Sequence, residues 1–150
     1  MTTEKRIKLF GLLGKNIEYS FSRAYFSKKF DLLKLPGYKY VNFDIDHISR
    51  FPGLLNENSM LKGMNVTIPY KEEVMSFLDD IDPSAREIGA VNTIQFTKDG
   101  GCKGYNTDVI GFKKSLEKLL KSHHKKALVL GTGGASKAVL FALKELRVES

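Results

Sequence analysis

The sequence predicts an α/β fold in which a mostly parallel mixed sheet, flanked by helices, is followed by an incomplete βα unit. Three observations predict it. Short runs rich in Ile, Leu, Val, Phe and Tyr alternate with amphipathic stretches over the first ninety or so residues, the pattern of strands separated by helices. Asp99-Gly100 sits between two strand-like runs, Ala90 to Phe96 and Cys102 to Tyr105, a turn dipeptide that makes them a hairpin and gives the sheet one antiparallel member. Further on, Ala127-Leu128-Val129-Leu130 runs into Gly131-Thr132-Gly133-Gly134-Ala135-Ser136 and a helix-like stretch, which together make the first half of a βαβ unit.

Ile7 to Gly14 reads as a buried strand, and Arg23 to Leu35 as an amphipathic helix ended by Pro36-Gly37. Tyr38 to Ile45 is a second strand, followed by a helical region broken by Pro52; Gly63 to Ile68 is a third strand. Pro69-Tyr70-Lys71 opens a helix carrying Val74, Met75, Phe77 and Leu78, and Asp82-Pro83 ends it ahead of a short helix around Ala85 to Ile88. After the hairpin, Val109 to Leu120 is a helix that leads into the strand Ala127 to Leu130. A boundary near Asp108 divides the chain into a domain at 1–108, a connecting helix and linker at 109–124, and the start of a second domain at 125–150. The partner strand of that second unit, and the residue about 20 positions on that reads a nucleotide ribose, are expected at or beyond Ser150, so the chain is read as complete in neither domain.

Composition narrows the classes. With 42% hydrophobic residues and four prolines in 150 residues, the chain has the make-up of a globular protein able to bury one core. A single cysteine, Cys102, rules out an internal disulfide framework and suits the reducing cytoplasm. The polar start, Met1 to Lys8, precedes an apolar run too short to span a membrane, so no membrane partner is expected. The net charge of +7 owes much to the stretch Lys113 to Lys126, where six lysines and two histidines face one glutamate. Lys113, Lys114, Lys118 and Lys121 fall on the polar side of a helix whose apolar positions are Ile110, Phe112, Leu116, Leu119 and Leu120. That spacing makes a solvated face, and with no aromatic platform it argues against a nucleic-acid partner. His123 and His124 have no third ligand at metal spacing, so no metal site is expected.

Polar residues recur at predicted strand ends and loops. Ser20 and Ser22, two apart, share a face if the chain there is extended, and two hydroxyls suit one carboxylate; the alternative is that Ser22 caps the following helix. Asn65 and Thr67 share a face at another strand end, and Lys71 follows in the first turn of a helix, where the partial positive charge of the N-terminus disfavours a cation unless something local needs it. Asn92 opens a strand and Asp108 follows one, where either residue also serves in capping. Open α/β sheets bind ligands at such strand ends, and this set of groups suits a hydroxylated acid.

The ordered motifs Gly11-Leu12-Leu13-Gly14 with Ser20-Phe21-Ser22, Asn65-Val66-Thr67-Ile68-Pro69-Tyr70-Lys71, Gly89-Ala90-Val91-Asn92-Thr93, Gly104-Tyr105-Asn106-Thr107-Asp108 and Gly131 to Ser136 resemble the shikimate dehydrogenases over nearly the whole chain. The resemblance implies NADP(H)-dependent interconversion of 3-dehydroshikimate and shikimate, a step of aromatic amino-acid biosynthesis. It implies that Ser20 and Ser22 hold the substrate carboxylate, that Asn65, Thr67, Asn92 and Asp108 contact the ring hydroxyls, and that Lys71 and Asp108 form the catalytic pair. It places the cofactor at Gly131, Thr132, Gly133, Gly134, Ala135 and Ser136, the opening of a Rossmann unit, while the 150 residues alone are expected not to turn over. Tyr19 and Arg23 replace the His and Pro that usually flank the two serines, a departure that bears on the choice between shikimate and related acids such as quinate.

Two further readings stand beside this one: a quinate/shikimate dehydrogenase, and a non-catalytic module of the same fold that captures a hydroxylated acid. The second has no need of both Lys71 and Asp108. No oligomeric state follows from the sequence, although an unpaired apolar strand at Ala127 to Leu130 would offer an edge for association between chains.

Overall fold

The computed structural model describes residues 7–150, so the polar start of the chain as far as Arg6 lies outside it. β1 (Lys8–Gly14) lies between β2 (Tyr38–Asp44) and β3 (Leu61–Val66) and is parallel to both. β3 pairs antiparallel with β5 (Thr93–Phe96), which pairs antiparallel with β6 (Cys102–Tyr105), and β6 pairs parallel with β4 (Asp80–Ile81). The order is β2-β1-β3-β5-β6-β4, and β5 runs against the other strands of this sheet. This is the mixed, mostly parallel sheet that the sequence predicts. Its consequence is geometric: β1, β3 and β6 all end at one edge, and reversed β5 begins there.

The sheet carries a core on each face, the second confined to β1 and β2, which explains its apolar strands. Leu13, Val66, Val74, Val91 and Ile94 pack with Phe51 of α2 (Phe51–Glu57) in the main core. On the other face, Leu12, Ile17 and Tyr40 meet Phe26 and Phe30 of α1 (Ser22–Leu32), with the Phe26 and Tyr40 rings stacked 4.5 Å apart. Each large apolar side chain so buried contributes roughly 1.5–3 kcal/mol. A third cluster joins Ile88 of α3 (Pro83–Ile88), Val109 of α4 (Asp108–Glu117), and Ala138 and Ala142 of α5 (Gly134–Glu145) around Ala90. Lys113–Glu145 at 3.1 Å and Lys144–Glu87 at 3.0 Å pin α5 at its edges.

Several elements differ from the sequence reading. Lys71 does not open an α-helix: it lies in a turn ahead of a short 3-10 helix, Glu73–Phe77. Its carbonyl accepts the Val91 N–H at 2.7 Å, so the strand-ward loop occupies the acceptor that an α-helix would use. Pro52 does not break a helix; it sits in the first turn of α2, where a missing N–H costs nothing. α1 ends at Leu32, leaving Leu32 and Leu33 exposed. α4 ends at Glu117 and leaves Ile110 and Leu119 exposed, while Lys113 pairs with Glu145 instead of facing solvent alone.

Ala127 to Leu130 is not a regular strand either. Ala127 N–H donates to the Glu149 carbonyl at 2.8 Å and Glu149 N–H donates to the Lys125 carbonyl at 2.9 Å, a single parallel bridge between Lys126 and Glu149. With no longer ladder among the described residues, Leu128 and Leu130 each remain 85% exposed. The bridge has the parallel sense that the βα unit predicts.

Candidate active site

The strand-end edge collects the polar residues. Gly14 closes β1, and the position must be glycine: a Cβ there would fall 2.5 Å from Ile17 Cγ2 and 2.7 Å from Thr67 Cγ2. That close approach, together with the Thr67 N–H donating to the Leu13 carbonyl at 2.9 Å, brings the end of β3 against the loop carrying Ser20. Ser20 and Ser22 are half-buried. They are not in extended chain as expected; a turn folds Ser20 Oγ back to accept the Ser22 N–H at 3.4 Å, and Ser22 is the first residue of α1. The helix has no side-chain cap, so Ser22 is not its N-cap.

At the other side of the edge, Lys71 Nζ donates to Asp108 Oδ2 at 2.6 Å. The lysine side chain is 15% exposed and the aspartate 37%, so the pair is sheltered yet reachable from solvent. Asp108 Oδ1 accepts from Asn92 Nδ2 at 2.8 Å. Asn92 is buried and is the hub of the site: its Nδ2 also donates to Thr107 Oγ1 at 2.9 Å, and its Oδ1 accepts the Thr107 N–H at 2.8 Å.

That backbone donor sets the polarity of the whole network. Asn92 Oδ1 is fixed as an acceptor, so the Thr93 hydroxyl donates to it at 3.0 Å and takes Asn65 Nδ2 at 3.3 Å on its lone pair. Asn65 Oδ1 in turn accepts from the Tyr40 hydroxyl at 2.9 Å. Burial pushes the Tyr40 phenol well above its ordinary pKa, which keeps it protonated as a donor. A continuous chain therefore runs from Tyr40 through Asn65, Thr93, Asn92 and Asp108 to Lys71.

Of the residues singled out in the sequence, Asn65, Asn92, Lys71 and Asp108 are joined in this network; Thr67, Ser20 and Ser22 line the same edge without joining it. Sequence reasoning missed Tyr40, Thr93, Asn106 and Thr107. Tyr40 carries no local signal, since a tyrosine in a strand reads as core. Asn106 lies within the run Gly104 to Asp108, and it performs the capping that the sequence left open for Asp108. An apolar cavity of about 310 Å³, bounded by Phe10, Phe26, Phe30 and Tyr40, runs under α1 and reaches Asn65 and Thr93. It adjoins the network but does not include Lys71 or Asp108.

The glycine run reaches the same site at Gly134, which lies against the Lys71 side chain. Gly131 adopts φ +126°, which favours glycine, and Gly133 precedes α5 with no side-chain cap. The first intrahelical bond is Lys137 N–H to the Gly133 carbonyl at 3.1 Å, so the amides of Gly134, Ala135 and Ser136 have no partner within the helix. Such amides fit the pyrophosphate of a dinucleotide. Among the described residues no cluster of metal-ligating side chains occurs and no helix is long and apolar enough to cross a membrane.

This chain is similar to known proteins along most of its length. Residues 12–94 match the family model described as the shikimate dehydrogenase substrate binding domain. The shikimate dehydrogenase (NADP(+)) of Caldanaerobacter subterraneus subsp. tengcongensis is 44% identical over 158 aligned positions, covering 100% of this chain and 54% of that protein. The crystal structure of shikimate dehydrogenase 1 from Peptoclostridium difficile superposes with a TM-score of 0.86 at 37% identity, covering 96% of this chain and 55% of that one. The enzyme of Thermus thermophilus, solved in complex with NADP(H) and shikimate, superposes with a TM-score of 0.83 at 35% identity, covering 95% of this chain and 54% of that one. The chain spans about half the length of the curated relatives it matches.

Proposed function

The chain belongs to the family of shikimate dehydrogenase substrate-binding domains, and on that premise we propose that it binds shikimate and 3-dehydroshikimate and carries the acid–base pair of their NADP(H)-dependent interconversion. The Lys71–Asp108 pair at 2.6 Å carries this reading. Reduction of a ketone requires a proton at the oxygen, and a cation beside it stabilises the charge that develops there. Lys71 is that cation and donor. Asp108, fixed from behind by Asn92, holds the ammonium in place and accepts a ring hydroxyl.

Ser20 and Ser22 take the carboxylate, and Asn65 and Thr67 take the ring hydroxyls, with Asn92, whose N–H groups serve Thr107 and Asp108 in the free chain, giving one of them up to a hydroxyl. Because Tyr40 occupies Asn65 Oδ1 and Thr93 Oγ1 takes one N–H of Asn65 Nδ2, the second N–H is the donor left for a ring hydroxyl. Gly131 to Ser136 would hold NADP(H), whose part when bound would be to supply the hydride. The division into residues 1–108, 109–124 and 125–150 follows the same reading, with the acid site in the first part and the glycine turn in the last. A biosynthetic role in the cytoplasm suits such an enzyme.

The test is a titration of the chain with shikimate, followed by amide NMR shifts, with Lys71→Ala and quinate as controls. Saturable shifts concentrated at residues 20–22, 65–71 and 92–108, weaker for quinate and weakened by Lys71→Ala, are expected. A folded chain that shows no such shifts would refute the reading.

A further inference from the structure

We propose that Gly134 is a positioning residue for Lys71, so that the first turn of α5 serves the acid site as well as the glycine turn to which it belongs. The inference rests on the proposed role of Lys71. A Cβ at Gly134 would stand 3.0 Å from Lys71 Cβ, 3.1 Å from Ala90 Cβ and 3.4 Å from Lys71 Cδ. By contrast, a Cβ at Gly133 would meet nothing within 4 Å. Gly134 has no left-handed φ, so its backbone conformation does not demand glycine. The close approach of the helix to the lysine stem does.

The lysine is thereby held on three sides. Val91 N–H donates to its carbonyl at 2.7 Å, its ammonium donates to Asp108 at 2.6 Å, and the backbone of α5 lies along its methylenes. The next residue, Glu72, is tied to the same helix by Lys137 Nζ at 2.6 Å. Ala90 is fully buried and cannot move aside without disturbing the cluster it shares with Val109 and Ala138. An added methyl at position 134 therefore displaces the lysine. The lysine stem must give by a few tenths of an ångström, and the placement of a reacting group bears directly on what it can do.

Gly134→Ala tests this, because alanine is the better helix former and leaves α5 itself unweakened. Two readouts are taken: the ε-methylene NMR resonance of Lys71 without ligand, and shikimate affinity in Gly134→Ala, Lys71→Ala and the double variant. The resonance is expected to move, and affinity to fall about fivefold, the loss expected when one hydrogen bond to the ligand is weakened. In the Lys71→Ala background the same change is expected to cost less than about twofold, since no ammonium is left to misplace. Lys137→Ala removes the tie to Glu72 without adding an atom and is expected to weaken binding about twofold; it decides the question if Gly134→Ala fails to fold. An unmoved resonance with wild-type affinity, an undiminished loss in the Lys71→Ala background, or wild-type behaviour of Lys137→Ala where it alone can be measured would overturn the proposal. If the wild type binds no shikimate, the functional reading fails, and the ligand-free resonance still decides whether Gly134 positions Lys71.

Discussion

Asn106 frees Asp108. Its Oδ1 accepts the Asp108 N–H at 3.1 Å and the Val109 N–H at 3.4 Å, so α4 is capped from the residue before its N-cap position. The Asp108 carboxylate, at the first position of the helix, is left to hold Lys71 and Asn92. Asn106 is itself buried and anchored by its Nδ2 donating to the Ala90 carbonyl at 2.9 Å.

Asn106→Ala removes a cap worth about 1 kcal/mol and strands a buried carbonyl worth roughly 1–3 kcal/mol. A loss of about 2 kcal/mol or more in urea-unfolding free energy is expected, with weakened shikimate binding because Asp108 loses its seat. Unchanged stability would show that the asparagine is not the cap.

Tyr40→Phe keeps the ring stacked on Phe26 but deletes the donor to Asn65. Net loss of one hydrogen bond costs about 1 kcal/mol. The freed Asn65 amide is expected to reorient and lower shikimate affinity by about threefold to tenfold; calorimetric titration of the variant measures it.

Lys71→Ala in a protein that turns over is expected to lower kcat by about 10²–10⁴, the range for a positioned proton donor. Asp108→Asn leaves the lysine without its counter-charge and is expected to lower kcat with a smaller effect on melting temperature. Steady-state kinetics against thermal unfolding separates the two effects.

Backbone and thiol hydrogen bonds from Cys102 hold the Asp79 carboxyl below its usual range. A depressed folded-state pKa adds stability that is fully present above the unfolded value, about 4, and is lost as pH falls through the folded one. Unfolding measured between about pH 2 and 6 should therefore show an acid limb that is shallower in Asp79→Asn. Identical limbs would remove Asp79 from the account.

Burial pushes the Cys102 thiol up, and the thiolate is the reactive form. Iodoacetamide at neutral pH is expected to modify the folded chain far more slowly than the urea-unfolded chain. Equal rates would mean that β6 opens readily.

Local pattern made much of this protein legible. The apolar runs locate five of the six strands, Asp99-Gly100 places the hairpin, and that hairpin predicts the single reversed strand of the sheet. The two-residue β4 escaped because two residues display no period. The spacing of Asn65 and Thr67, the motif ending at Asp108 and the glycine run pointed to the site, since strand ends and glycine turns are read from neighbouring residues.

What only the tertiary structure decided are the pairings between distant residues. Lys71 looked like the start of a helix until Val91, far along the chain, took its carbonyl. Ala127 to Leu130 looked like a strand, but a strand exists only through its neighbour, and a single bridge to Glu149 is what pairs it among the described residues. The hydroxyl of Tyr40, the cap at Asn106 and the seat of Lys71 on Gly134 likewise depend on which elements the sheet order brings together. The sequence by itself determined which segments are apolar, where they turn and which polar groups stand at their ends, because those properties are local. Partner choice was left to the fold, because hydrogen bonds and packing depend on distance in space and not along the chain.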